Sequence, residues 1–215
     1  MALLATGGSR DHRYVHDASF DLKYDVDTGG VVEIDEMKKP AGSLENAGRY
    51  ETIDPVWFDD LLARTGIVNI KDFQLLDLGS GKGRVLMLAA LAGFGKMIGV
   101  EIDEDLHSSA VSNIAIFNKH VPAAEFALLN ADIRDFDIPT DPMLCFANNP
   151  VEQPLFGQFV TRIEESLTAH PRPFFFVYLH ANHMEAFSDP HWIEIDAGLL
   201  NESDKHPYAI YEWTC

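Results

Sequence analysis

The stretch Leu75-Leu76-Asp77-Leu78-Gly79-Ser80-Gly81-Lys82-Gly83-Arg84 constrains this chain more than any other. A short apolar run stops at closely spaced glycines, and Val85 to Ala92 then reads as a buried helix. Strand, glycine turn and helix make the opening unit of a doubly wound α/β sheet. Glycines let the backbone turn tightly and let a ligand approach the main chain. The next apolar run, Met97 to Val100, ends on Glu101. A carboxylate at such a strand tip can accept hydrogen bonds from both hydroxyls of a ribose. The chain thus carries a turn for a nucleoside-like ligand and an acid for its sugar.

The glycine spacing discriminates among ligands. A P-loop requires Gly-x-x-x-x-Gly-Lys-Ser/Thr. Here Leu76 stands at the early glycine position and Gly83 follows Lys82, so no hydroxyl is placed for magnesium. The dinucleotide fingerprint Gly-x-Gly-x-x-Gly matches at Gly79 and Gly81, but the third glycine comes one residue early and Arg84 takes its place. The turn also opens on Asp77, whose carboxylate would repel a pyrophosphate.

Along the chain, strands are expected at 74–78, 96–101, 125–130, 143–147 and 173–179, and helices at 82–93, 104–119, 152–169 and 182–188. A helix over Val56 to Arg64 has Asp54 as N-cap and Pro55 as first residue, ends before Gly66, and buries Trp57, Leu61 and Leu62. In the helix after Glu101, Leu106, Ala110, Ile114 and Phe117 mark the inner face, and His107 reads as a boundary residue. Two late strands, Trp192–Ile195 and Tyr208–Trp213, are joined by a polar loop too short for a crossover helix, which favours an antiparallel pair. Val31–Ile34 reads as a short strand and Pro40–Ser43 as a loop. The expected fold class is α/β: a doubly wound, Rossmann-like, seven-stranded mixed sheet of five parallel-type strands plus a terminal antiparallel pair, with helices on both faces. Residues 1–50 read as an N-terminal flexible segment and cover, and 51–215 as the main α/β domain.

The motifs resemble those of the class I S-adenosylmethionine (AdoMet)-dependent methyltransferases. Asp77-Leu78-Gly79-Ser80-Gly81-Lys82-Gly83 is similar to their first motif, Gly99-Val100-Glu101-Ile102-Asp103 to the second, and Leu129-Asn130-Ala131-Asp132 to the third. Over about residues 20 to 185, the order Phe20…Tyr24 to Gly30, Arg49-Tyr50, the glycine turn, Gly99-Val100-Glu101, Asn149-Pro150 and Pro171-Arg172-Pro173 looks like a bacterial methyltransferase family described only at superfamily level. The resemblance implies AdoMet as cofactor, S-adenosylhomocysteine (AdoHcy) as product and no metal. Gly79, Ser80, Gly81 and Gly83 would shape the turn around the methionine part, and Asp77 would neutralise or water-bridge its ammonium. Glu101 would hold the ribose, Asp132 the adenine amino group, and Ile102 and Ile133 would flank the adenine ring. Asn148-Asn149-Pro150-Val151 resembles the Asn-Pro-Pro-aromatic motif of amino-methylating enzymes, which implies Asn149 as the acceptor-side contact beside Asn148. Val151 departs from that motif, and Asn-Pro is also ordinary turn chemistry. Tyr50 would reach the AdoMet carboxylate or take a proton, and His180, His183 and Tyr178 are further candidates to take one, each also readable as a structural or surface residue.

Composition bounds the function classes. The chain has 215 residues, 47% hydrophobic and 23% charged, the balance of a globular protein. No apolar run approaches the ~20 residues of a membrane helix, and the N-terminus lacks a signal-peptide pattern. Cys145 and Cys215 make no disulfide framework, which suits the cytoplasm. A net charge of −18 disfavours nucleic acid as partner and leaves the methyl acceptor, a basic protein or amine or a small molecule, open. Two rival readings are a non-catalytic AdoMet- or nucleoside-binding module and a nicotinamide-dependent reductase.

Overall fold

A computed structural model describes residues 18–38, 49–122, 124–200 and 206–214. The expectations for the first 17 residues of the N-terminal segment, for the Pro40–Ser43 loop and for Cys215 fall outside these. Strands β3 (Gln74–Leu78), β4 (Lys96–Glu101), β5 (Glu125–Asn130), β6 (Met143–Asn148) and β7 (Phe174–Leu179) run parallel, and β8 (Trp192–Leu199) and β9 (Pro207–Trp213) complete a seven-stranded sheet of order β5-β4-β3-β6-β7-β9-β8. β9 pairs antiparallel with both β7 and β8. The mixed doubly wound sheet expected from the sequence is therefore present.

Alternation along the strands sorts side chains onto two faces. Leu75, Met97, Leu144 and Val177 join a cluster with Phe58, Leu61, Leu86 and Phe117, from α2 (Pro55–Arg64), α3 (Arg84–Ala92) and α4 (Glu104–Phe117). Leu76, Ile98, Cys145 and Phe176 join the opposite cluster with Phe156, Phe159, Val160 and Ile163 of α5 (Leu155–Ala169). Because both faces are covered, the central strands read as continuous apolar runs.

Helix ends follow local chemistry. The Asp54 side chain accepts from the Val56 N–H at 2.9 Å, and Pro55 opens α2. Asp103 caps α4 by accepting from Leu106 N–H at 2.7 Å. Gly93, at φ +98°, closes α3 by donating back to Ala89 and Ala90. Three helical expectations need correction. The buried pair on α2 is Phe58 and Leu61, while Trp57 lies against the His206 ring, centroids 4.4 Å apart. α5 begins at Leu155, not at 152, because Pro154 precedes it and disfavours helix in the residue before itself. The helix expected over 182–188 is a single 3-10 turn, Met184–Ala186. Phe187 after it stacks on Tyr211, centroids 4.1 Å apart, and that packing outweighs local helix propensity.

Residues 18–26 contribute to the core. A helix over 18–24, α1, places Phe20 and Tyr24 in the same cluster as α3, with Val26 after it. Asp21 accepts from the Thr28 and Gly29 N–H groups at 2.9 Å each and pairs with Arg84 of α3 at 3.1 Å. The two-residue strands β1 (Val31–Val32) and β2 (Tyr50–Glu51) form a separate ladder. The boundary expected between residues 50 and 51 thus falls inside β2.

Candidate active site

The sheet order reverses beside β3, which pairs with β4 on one side and β6 on the other. In doubly wound sheets the ligand crevice opens at the carboxyl ends of the strands at such a reversal. A cleft enclosing about 980 Å³, its mouth included, lies there. Its walls carry Asp77, Gly79, Ser80, Glu101, Ile102, Asp132, Ile133 and Asn148, all expected from the sequence, together with Tyr50.

The glycine turn is shaped by two close approaches. Gly79 and Ser80 donate to the Val100 carbonyl at 2.9 and 3.1 Å, tying the turn to β4. Gly81 takes φ +52°, and a Cβ there would lie 2.2 Å from Cε2 of Tyr50. A Cβ on Gly79, at φ +73°, would meet Pro150 at 3.1 Å. Gly83, at φ +89°, is the N-cap of α3.

Two acids are buried in this cleft. Asp77 is only 3% exposed, and among the described residues no hydrogen bond reaches its carboxyl. Burial, and then the Glu101 charge, push its pKa well above the ordinary aspartate value. Glu101 accepts from Gly81 N–H and from Asp103 N–H, each at 2.8 Å. Burial raises its pKa too, and those N–H donors oppose the rise. Asp132 is more accessible and is gripped by Arg134, whose Nε donates to Oδ1 at 2.9 Å, so its pKa falls. Arg162 of α5 donates to the Ile133 and Phe136 carbonyls at 2.7 and 2.6 Å and holds the loop that carries Asp132 and Ile133.

On the β6 side, two expectations change. Asn149, expected as the acceptor-side contact, does not line the cleft. It sits at φ +40° and its Oδ1 accepts from the buried Tyr178 hydroxyl at 2.9 Å. Asn148 is the cleft residue, with Nδ2 donating to the Glu51 carbonyl at 3.3 Å and Oδ1 2.6 Å from His180 Nδ1. A carbonyl only accepts, so the Glu51 contact sets the amide orientation and leaves His180 to donate from Nδ1. His180 Nε2 lies 2.6 Å from His206 Nδ1, extending the chain to the start of β9. The Tyr50 hydroxyl, expected to reach a carboxylate or take a proton, donates to the Thr28 carbonyl at 2.6 Å, which leaves its ring as cleft wall. His183 sits apart, 2.8 Å from Glu152.

Sequence reasoning missed Arg49, Arg162 and His206. Arg49 borders the cleft, and its place beside Tyr50 in the motif order was its one signal. Arg162 and His206 act across the fold from distant elements and carried none. Among the described residues no helix is long and apolar enough to cross a membrane, and no group of three His, Cys, Asp or Glu is arranged to hold a metal ion.

No family model and no curated protein matches the chain. Solved structures do match. TrmN from Thermus thermophilus superposes with a TM-score of 0.58 at 16% identity, over 76% of this chain and 49% of that one, so the chain spans about half of that protein. An RNA methyltransferase from Salinibacter ruber, solved with S-adenosylhomocysteine, gives 0.51 at 22% identity over 77% of this chain and 93% of that one. Magnesium protoporphyrin IX methyltransferase from Synechocystis, solved with bound AdoMet, gives 0.52 at 14% identity over 98% of both chains. An RNA methyltransferase on this fold overturns the expectation that nucleic acid is disfavoured as partner. Net charge sums the whole surface, whereas substrate binding depends on the local surface around one cleft. The sheet order, the cleft at its reversal and these superpositions together give the chain the fold of the class I AdoMet-dependent methyltransferases.

Proposed function

We propose that this protein is an AdoMet-dependent methyltransferase acting on a nitrogen acceptor. The observation that carries this reading is Asp77, a buried carboxyl without a hydrogen bond among the described residues, in a cleft also lined by Glu101. A buried acid of this kind is stabilised by a bound cation, and AdoMet carries an ammonium and a sulfonium. The residues fit the rest of the cofactor. Glu101 keeps a lone pair on each oxygen for the ribose hydroxyls, Ile102 and Ile133 offer apolar surface to adenine, and Gly79 and Ser80 bring the backbone of the turn to the cleft wall for the methionine part, whereas Gly81, under the Tyr50 ring, and Gly83 do not line the cleft. Asp132 would take the adenine amino group in competition with Arg134.

The chemistry such a cofactor supplies is a methyl carbon already activated by its sulfonium. The protein therefore needs mainly to align a nucleophile and exclude water. Phe146, Val151 and Leu155 supply apolar wall next to Asn148, whose amide is held from both sides by Glu51 and His180. A fixed amide beside the Asn149-Pro150 turn supports a nitrogen acceptor, presented neutral so that its lone pair can attack. A folded chain of this sort without chemistry, the non-catalytic module, shares the cleft but not the need for this held amide.

Isothermal calorimetry with AdoMet and AdoHcy tests the cofactor, and transfer of labelled methyl to RNA, to protein lysine and to small amines tests the acceptor. Micromolar binding of both ligands is expected. Folded protein that binds neither would sink the reading, and tight binding with no transfer to any acceptor would favour the module.

A further inference from the structure

We infer that Arg49 holds the carboxylate of the cofactor's amino-acid end, an inference that rests on the methyltransferase reading above. The ligand brings an ammonium and a carboxylate on the same carbon. Asp77 and Glu101 favour the first and repel the second, so a cation elsewhere on the cleft wall would stabilise the carboxylate.

The cleft offers two cations among the described residues, Arg49 and Arg84. Arg84 is 2% exposed and engaged within the core. It pairs with Asp21 at 3.1 Å, donates to Thr28 Oγ1, and lies 4.5 Å over the Phe20 ring. Moving it would undo the joint between α1 and α3. Lys82 of the glycine turn donates to the Gly29 carbonyl at 3.0 Å and does not line the cleft. The Tyr50 hydroxyl is committed to Thr28.

Arg49 differs from these. Its side chain is 51% exposed, with Nη2 2.9 Å from Glu51 and Nη1 3.7 Å from Glu33. Exposed ion pairs of this kind are weak and exchange readily. Glu51 and Glu33 keep the guanidinium at the cleft edge, and its planar fork matches a carboxylate with two parallel hydrogen bonds. A ligand carboxylate there replaces a weak internal pair with a better one.

The test compares two ligands. AdoHcy carries the amino-acid end, whereas 5′-methylthioadenosine keeps adenine, ribose and thioether but lacks both the ammonium and the carboxylate. In calorimetry, Arg49→Gln should weaken AdoHcy about 10- to 100-fold and leave 5′-methylthioadenosine unchanged. Arg49→Lys should recover part of the loss, with near-ultraviolet circular dichroism confirming that each variant is folded. Unchanged AdoHcy affinity overturns the inference. So does an equal loss for both ligands, which would mean that Arg49 only shapes the cleft, and so does wild-type protein that binds 5′-methylthioadenosine but not AdoHcy. Wild-type protein that binds neither would instead fail the methyltransferase reading itself.

Discussion

Glu101 Oε2 accepts the Gly81 N–H at 2.8 Å, joining the tip of β4 to the glycine turn after β3. The other oxygen accepts from Asp103 at 2.8 Å, so one carboxylate braces the turn and the start of α4 at once. Glutamine at this position would face an N–H with an amide nitrogen. Glu101→Gln should weaken AdoHcy binding by about 1–3 kcal/mol, the usual cost of losing a charge-assisted hydrogen bond. Calorimetry reads this directly, and unchanged affinity would remove Glu101 from the ribose site.

Gly81 and the Tyr50 ring leave no room between them for a methyl group. Gly81→Ala would put Cβ 2.2 Å from Cε2 and 2.4 Å from Cδ2, at a φ of +52°. The ring must then move and release the Thr28 carbonyl. Overpacking plus left-handed strain predicts a loss of about 2–4 kcal/mol in urea unfolding. A change below about 1 kcal/mol would show that Tyr50 is loosely held.

The Asp77 carboxyl gives stability a pH dependence of known sign. Its folded pKa is raised above the ordinary 3.8, so between 3.8 and the folded value the native state holds more protons than the unfolded chain. Stability therefore falls as pH rises through that window. Asp77→Asn removes the titration. The ligand-free variant should melt higher than wild type at neutral pH, with the gap closing as pH drops toward 3.8, while its AdoHcy affinity falls. A gap that does not vary with pH would contradict the raised pKa.

Arg162 reaches from α5 to the loop carrying Asp132 and Ile133. Arg162→Ala leaves the Ile133 and Phe136 carbonyls without their guanidinium donors, at a cost of about 1–3 kcal/mol. Hydrogen exchange should quicken over residues 131–138, and AdoHcy and 5′-methylthioadenosine should weaken together, since both carry adenine. Exchange spread evenly over the sheet would indicate global destabilisation instead.

The sequence by itself determined the sheet, and its motifs pointed to residues that line one side of the cleft. Buried parallel strands are largely apolar, glycines stop them, and Asp54 announces its helix, all of which are local signals. Asp77, Glu101, Asp132 and Ile133, singled out by the motif resemblance, all line the cleft because each stands at or within a few residues of the end of its own strand. What tertiary structure decided is the Asn148 side of the cleft and the cover. Whether Asn148 or Asn149 faces the cleft depends on a one-residue left-handed turn and on Tyr178, which lies 29 residues later. The Tyr50 hydroxyl binds Thr28 because β1 and β2 bring distant segments together, and Arg49 borders the cleft for the same reason. Pairings of that kind depend on how remote side chains meet, and the local pattern of residues along the chain does not encode them.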